Sequence, residues 1–142
     1  MLYTYPACYF KEDTGYSVFF PDFNNVATCG DDIAEATYMA IDLLAGLLDD
    51  LLEDNKELPK PTPVDAVSPQ KIAEALDFTY DDYFVNNIVV DVEEHAKNYF
   101  GDNIVRMVAI PRWLDDKIMY SDNGMTESQV VEEALKQYFN TK

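Results

Sequence analysis

The first thirty positions consist of short apolar runs, rich in tyrosine and other β-forming residues, between polar clusters, which is the pattern of β-strands and turns. Runs of β-forming residues at 2–10, 16–20 and 26–29 are separated by turn-forming clusters at 11–15 and 21–22. Because these connections are short, each strand is expected to pair with the next one. The pattern therefore predicts a three-stranded antiparallel meander.

The spacing then changes to that of a helix. Apolar residues recur every three or four positions from Ile33 to Leu51, and the carboxylates lie mostly off that stripe. Asp31 or Asp32 can cap this helix, since a carboxylate accepts hydrogen bonds from the free amides at the positive end of the helix dipole. We predict a helix that ends near Glu53 and covers one face of the sheet.

The middle of the chain opens with a proline-rich stretch. Residues 59–69 hold four prolines and predict an extended connector. Ser68 followed by proline is typical of a helix start, here of a short helix to Leu76. Residues 84–92 predict a further strand, apolar enough for a buried central position in the sheet, and residues 93–100 a short helix that ends at a glycine.

The last segment predicts a strand over 104–110, a helix over 112–120 and a second helix over 126–139. Thr126 and Gln129 have the spacing of a capping box. About 36 residues with a lone strand and two one-sided helices are too few to fold alone. We therefore expect an intertwined dimer in which two strands pair and four helices share one core.

Charge divides the chain at the same place. Residues 1–103 hold 21 acidic and 5 basic side chains, a balance of −16, whereas 104–142 hold 6 and 5, a balance of −1. The two ranges are interpreted as two domains. A surface as acidic as the first is repelled by nucleic acid and attracted to a basic partner. The alternative is that the charge only confers solubility, and charge by itself does not decide between them.

Two cysteines, Cys8 and Cys29, leave three interpretations open: a disulfide, part of a metal site, or packed thiols. The chain starts without the basic flank and apolar core of a secretory leader. No apolar run approaches the ~20 residues needed to span a bilayer. These features predict a cytoplasmic protein with no membrane segment, in which packed thiols are the expected state.

Catalytic chemistry finds little support. His95 is the only histidine and has no spaced partner, so a structural or surface role is predicted. A nuclease would need carboxylates that converge on a divalent metal, and Asp22, Asp31, Asp32 and Asp91 are the candidates. The phosphate-binding and nucleophile motifs of other enzymes do not occur. We predict a protein that is not an enzyme and that holds no metal or cofactor.

Two groups of motifs resemble the HicB antitoxin family. The first consists of Tyr5-Pro6-Ala7, Gly15-Tyr16-Ser17-Val18, Phe20-Pro21-Asp22, and Gly30-Asp31 leading into Ala34-Glu35-Ala36. The second is Val108-Ala109-Ile110-Pro111-Arg112-Trp113-Leu114 followed by Ser128-Gln129-Val130 and Glu133-Ala134-Leu135, which is similar to the ribbon-helix-helix tail of many HicB proteins. The chain departs from the family at Phe23-Asn24-Asn25-Val26, where a Leu-Pro-Gly-Cys turn is usual.

The resemblance implies an α+β fold: an N-terminal antiparallel sheet with a covering helix, related to part of ribonuclease H but without its chemistry, and a C-terminal ribbon-helix-helix module. It also implies a partner, the small basic mRNA-cleaving HicA toxin, whose active site the antitoxin covers. Dimers of the complex would repress their own operon. The candidate toxin-binding residues are Tyr5, Tyr9, Tyr16, Asp22 and Phe23. For the tyrosine stripe of the first strand, a sheet face packed by the long helix is the open alternative.

A ribbon-helix-helix module would also assign roles in the tail. The outward residues of its paired strands enter the major groove of DNA. The candidate DNA contacts are Val105, Met107, Ala109, Arg112, Lys117, Thr126 and Ser128. The candidate dimer contacts are Ile104, Arg106, Val108, Ile110, Trp113, Val130 and Leu135. Three apolar residues on the outward face read base edges poorly, which argues against specific operator binding.

Three functions therefore stay open. The first is an antitoxin that acts as a homodimer or tetramer. The second is an orphan HicB-like transcriptional regulator that binds DNA without a toxin partner. The third is an acidic metal-dependent nuclease.

Overall fold

A computed structural model describes residues 1–99, 103 and 105–141, and in these it has four strands and five α-helices. Two compact units divide the chain, Met1–Asp102 and Asn103–Lys142. The elements of unit 1 are β1 (Leu2–Lys11), β2 (Tyr16–Phe20), β3 (Val26–Gly30), α1 (Ile33–Glu53), α2 (Pro69–Leu76), β4 (Tyr83–Asp91) and α3 (Val92–Tyr99), with 3-10 turns at Pro21–Phe23 and Val64–Ala66. Unit 2 holds α4 (Arg112–Met119) and α5 (Glu127–Tyr138).

The four strands form one antiparallel sheet in the order β3-β2-β1-β4. The predicted meander is confirmed, as is the α+β class. The predicted central position of β4 is wrong, because among the described strands β4 pairs only with β1 and lies at an edge of the sheet. Its apolar run hides an alternation: Ile88 and Val90 are buried, whereas Val89 is 50% exposed.

One face of the sheet is covered by α1, as its apolar stripe predicts. Ala36, Ala40, Leu44 and Leu48 of this helix are fully buried. They pack with alternate side chains of the strands, namely Tyr5, Ala7, Tyr9, Val18, Phe20, Ile88 and Val90. Burial of large apolar side chains is worth about 1.5–3 kcal/mol each, so this layer is the principal core of unit 1.

The start of α1 is fixed by close backbone packing and by its cap. Of the two candidate caps, Asp32 is the one used: its carboxylate accepts a hydrogen bond from the Glu35 amide at 2.8 Å. The Glu35 carboxylate accepts in turn from the Asp31 amide at 2.6 Å. Gly30 lies against the first turn, where a Cβ atom on it would stand 2.2 Å from the Ala36 nitrogen. Gly15 has φ +89° and abuts Gly30.

The second face of the sheet is partly covered by α2. This helix begins as predicted, with the Ser68 hydroxyl accepting from the Lys71 amide and Pro69 in the first turn. Beneath it, Cys8 and Phe10 are buried together with Ile72. Both cysteines are free thiols, but only Cys8 is buried, and burial raises its pKa to about 12. Cys29 is exposed on β3, so the packed-thiol interpretation holds for one cysteine of the two.

Unit 2 has the two predicted helices, and the predicted capping box joins Thr126 and Gln129 in both directions. Within the single chain, residues 105–110 form neither helix nor strand, and Ile104 lies outside the described residues. A β-strand forms only when another strand is hydrogen-bonded to it. The predicted ribbon strand would therefore need a second chain as its partner. Neither α4 nor α5 buries any residue in the chain alone.

Candidate functional site

The tyrosines of β1 are core residues. Tyr5 and Tyr9 are only 2% and 1% exposed under α1. The Tyr9 ring stacks on Phe84 at 4.4 Å, and its hydroxyl lies 2.9 Å from the Thr37 hydroxyl. Of the two interpretations of the stripe, the sheet face packed by the long helix is therefore the observed one. The covering helix leaves the side chains of Tyr5 and Tyr9 almost no exposed surface, and their assignment as toxin contacts stays a prediction.

Phe23 and Tyr16 differ from each other in exposure. Phe23 is buried and packs edge-on against Tyr5, with ring centroids 4.8 Å apart. It too is a core residue, and its assignment to a toxin contact stays a prediction. Tyr16 is half-buried at the start of β2, with its ring 6.1 Å from Phe84, and keeps some surface for a partner.

Asp22 holds the proline-rich connector in place. Its carboxylate accepts hydrogen bonds from the Thr62 amide at 2.9 Å and the Thr62 hydroxyl at 2.5 Å. Nearby, the Tyr5 hydroxyl donates to the Pro59 carbonyl at 2.7 Å. Two residues of the family motif therefore fasten a segment that lies 54 residues after Tyr5 and 40 residues after Asp22. No sequence pattern pointed to Thr62, because the pairing depends on how the connector crosses the fold.

An Asp22→Ala variant is expected to lose about 1–3 kcal/mol of unfolding free energy, because the Thr62 amide and hydroxyl are left without their acceptor. Urea unfolding measures the loss, and limited proteolysis should show faster cleavage within 59–69. Asp13→Ala is the matched control, since it removes the same charge from an exposed turn. Equal stability of the two variants would contradict the clamp.

Three of the four acidic candidates for a metal site have other partners. Asp22 binds the connector, Asp32 caps α1, and Asp91 accepts from the Glu94 amide and the amino group of Met1. Among the described residues no group of three or more His, Cys, Asp or Glu side chains is placed to hold a metal ion. Likewise, none of the helices described is long and apolar enough to cross a membrane.

His95 has a structural position. It is 7% exposed on α3, and its Nε2 lies 3.0 Å from a carboxylate oxygen of Asp42 on α1. The contact ties α3 to the covering helix. This agrees with the predicted structural role.

Negative charge is concentrated in two parts of unit 1. α1 contains no lysine or arginine, and its carboxylates include Asp50 and Glu53 on the exposed surface. The second part lies after α2, where Glu74 and Asp77 border exposed aromatic rings. This second group was missed in the sequence, although the alternation of acidic and aromatic residues over 77–83 is visible there.

The predicted DNA contacts lie on unit 2, where their side chains make few contacts with other described residues. Arg112 opens α4 and is exposed, and the Lys117 ammonium stands over the Trp113 ring at 5.5 Å from its centroid. The Thr126 hydroxyl caps α5, and Ser128 is exposed in its first turn. The remaining three candidates, Val105, Met107 and Ala109, are exposed in the segment that precedes α4.

The predicted dimer contacts are exposed apolar side chains. Val108 is 72% exposed, and Trp113 and Leu135 are exposed to a similar degree. Val130 is half-buried and Arg106 exposed. Exposed apolar surface on this scale is typical of an interaction site rather than of a free monomer.

Comparison with known proteins identifies the chain. The family described as HicB-like antitoxin of bacterial toxin–antitoxin systems matches residues 4–70. Antitoxin HicB 2 of Photorhabdus laumondii subsp. laumondii is 40% identical over 58 residues, which are 41% of this chain and 42% of that protein. The curated relatives are matched over only 34–61% of their own length.

Solved structures extend the likeness over nearly the whole chain. A chain of a toxin–antitoxin complex from Streptococcus pneumoniae is 32% identical with a TM-score of 0.63, covering 97% of this chain and 99% of that one. The antitoxin HicB of Burkholderia pseudomallei has the same fold at 19% identity and a TM-score of 0.50, covering 94% and 96%. In fold and motifs the chain is similar to bacterial antitoxins. The chain belongs to the HicB-like antitoxin family, and the family predicted from the motifs is confirmed.

Proposed function

We propose that this protein is the antitoxin of a HicA-type pair and blocks a small basic ribonuclease that cleaves mRNA. The observation that carries the proposal is the 32% identity, over 97% of the chain, to a protein solved in a toxin–antitoxin complex. The net charge of −16 over residues 1–103 supports it, because an acidic surface attracts a basic enzyme and repels that enzyme's RNA substrate. Unit 1 acts by masking the toxin in the cytoplasm.

The direct test is co-expression with the protein encoded beside it, followed by affinity purification through a tag on this chain and size-exclusion chromatography. A stable co-eluting complex with a small basic protein is the expected result. If both proteins are soluble and elute separately at low salt, the antitoxin proposal fails.

Unit 2 is proposed to form a ribbon-helix-helix dimer. Its apolar side chains, among them Val108, Trp113 and Leu135, are exposed in the single chain and would share one core in a pair. A dimer core of this kind also supplies the strand that 105–110 lacks when alone. The assembly is proposed to be this homodimer or a tetramer made of two such dimers.

The dimer is proposed to repress its own operon by binding the phosphate backbone of DNA. Arg112 and Lys117 supply cations, and the start of α5 at Thr126 and Ser128 supplies free amides to phosphate. Base reading by Val105, Met107 and Ala109 would be restricted to apolar contacts, for example with thymine methyl groups. The same tail would serve a regulator without a toxin. The co-purification experiment separates these two functions.

The proposed division of labour places toxin masking in 1–103 and dimerisation in 104–142. Unit 1, with its antiparallel sheet under one long helix, is proposed to be a reduced ribonuclease-H-like domain without nuclease chemistry. Tyr16 is proposed to lie at the border of the toxin contact.

A further inference from the structure

An open cavity of about 750 Å³ lies at the end of α2, bordered by carboxylates and aromatic rings. Glu74 and Asp77 supply the carboxylates, and Phe78 and Tyr80 supply the rings. Tyr83 extends the aromatic surface: its ring meets Tyr80 edge-on at 5.6 Å and is 48% exposed. We call these five residues the acidic–aromatic shelf.

The rings of the shelf are held rigidly from below. Phe78 and Tyr80 each pack against the buried Phe10 ring, with centroids 4.9 Å apart in both cases. Phe78 also stacks on Phe19 at 5.5 Å. Aromatic side chains fixed in this way lose little conformational entropy when a partner covers them, which is why tyrosine is enriched at binding hot spots.

In the described part of the chain no lysine or arginine forms an ion pair with a carboxylate of the shelf. From Ile72 to Ala96 the sequence contains neither lysine nor arginine, and Asp81 and Asp82 add two further charges. In the described part of the chain, every ion pair involves carboxylates other than these four. The shelf therefore presents a negative field beside exposed ring faces.

Asp77 lies at a helix end whose backbone conformation usually favours a different residue type. It ends α2 in the left-handed conformation, with φ 54° and ψ 54°. Glycine is the common residue there, and asparagine is the usual substitute. A carboxylate at this position thus borders the cavity where glycine would suit the helix end better.

We propose that the acidic–aromatic shelf docks an arginine-bearing segment of the basic toxin partner; this rests on the proposed antitoxin function. A guanidinium group suits the shelf because its planar fork binds carboxylates in two-point fashion and its face stacks on tyrosine. Nucleic acid does not suit it, since phosphate would meet four carboxylates. A second copy of unit 1 would bring the same −16 balance and be repelled.

The test compares two charge-matched variants of the full chain for binding to the purified basic partner. Glu74→Gln/Asp77→Asn neutralises the shelf, and asparagine keeps the left-handed position at 77. Asp50→Asn/Glu53→Gln removes the same two charges from exposed positions of α1. Isothermal titration calorimetry gives each Kd, and thermal melting verifies folding. A third variant, Tyr83→Thr, removes the exposed ring without changing the charge.

The shelf variant is expected to raise Kd about tenfold or more, as for close charge pairs at interfaces, whereas the α1 variant stays within about threefold of wild type. Tyr83→Thr is expected to weaken binding without reducing its salt dependence. Equal losses in the two charge variants would show a diffuse attraction and overturn the shelf. Wild-type affinity in the shelf variant would overturn it too, while the antitoxin function stands. If wild type forms no complex, the antitoxin function fails and this inference fails with it.

Discussion

Gly30→Ala is expected to destabilise unit 1 by about 3 kcal/mol, the upper range for an added group that the packing cannot accommodate. The new Cβ would stand 2.2 Å from the Ala36 nitrogen and 2.6 Å from its Cα, and both are backbone atoms of the first turn of α1. Relief requires the helix start to move away from β3. Because α1 covers the whole inner face of the sheet, that movement disturbs the core beneath it.

The control is Gly46→Ala in the same helix. No described atom lies within 4 Å of a Cβ placed there, so the change only improves helix propensity. It is expected to stabilise the protein by about 0.5–1 kcal/mol. Urea unfolding of both variants gives the comparison. A Gly30→Ala protein as stable as wild type would contradict the close approach, and with it the structural reason proposed here for the Gly-Asp motif.

Val108→Asp is expected to abolish the proposed dimer, because two carboxylates would enter a shared apolar core without partners. The expected change is a shift from dimer to monomer at micromolar concentration, measured by analytical ultracentrifugation. At least about a hundredfold weaker association follows if each buried charge costs a few kcal/mol.

Val105→Asp provides the matched control for the ribbon. The two valines are three positions apart, so on a strand they face opposite sides. Val105 is 97% exposed and is assigned to the outward face. A Val105→Asp protein should remain dimeric. If Val108→Asp also stays dimeric through this segment, or if both variants fall apart equally, the strand-pairing proposal is wrong.

Local sequence patterns were sufficient for most elements of unit 1. The runs of β-forming residues, the apolar stripe of α1 and the Ser68 cap depend on neighbours within a few residues, as does the Thr126–Gln129 capping box of unit 2, and each is confirmed. The position of a strand within the sheet does not follow from local patterns, because it depends on which strands pair with each other. The edge position of β4 was missed because an apolar residue, Val89, occupies an exposed site and obscures the alternation.

The candidate site was harder to predict for the same reason. Whether Tyr5 and Tyr9 face a partner or a helix depends on where α1 packs, so the sequence left two interpretations open. The Asp22–Thr62 clamp joins residues forty positions apart, and neither residue type is distinctive. The acidic–aromatic shelf combines α2, the segment that follows it and the first residue of β4. The motif residues located here chiefly build the fold, whereas the proposed partner surface lies outside the motifs.

The central claim, that this chain neutralises a basic ribonuclease, is tested most directly by growth. The protein encoded beside it is induced alone and together with this chain, and cell density is followed in both cultures. Growth arrest by the neighbour alone and recovery with this chain are the expected results. A harmless neighbour, or arrest that persists while both proteins are soluble, would contradict the antitoxin function.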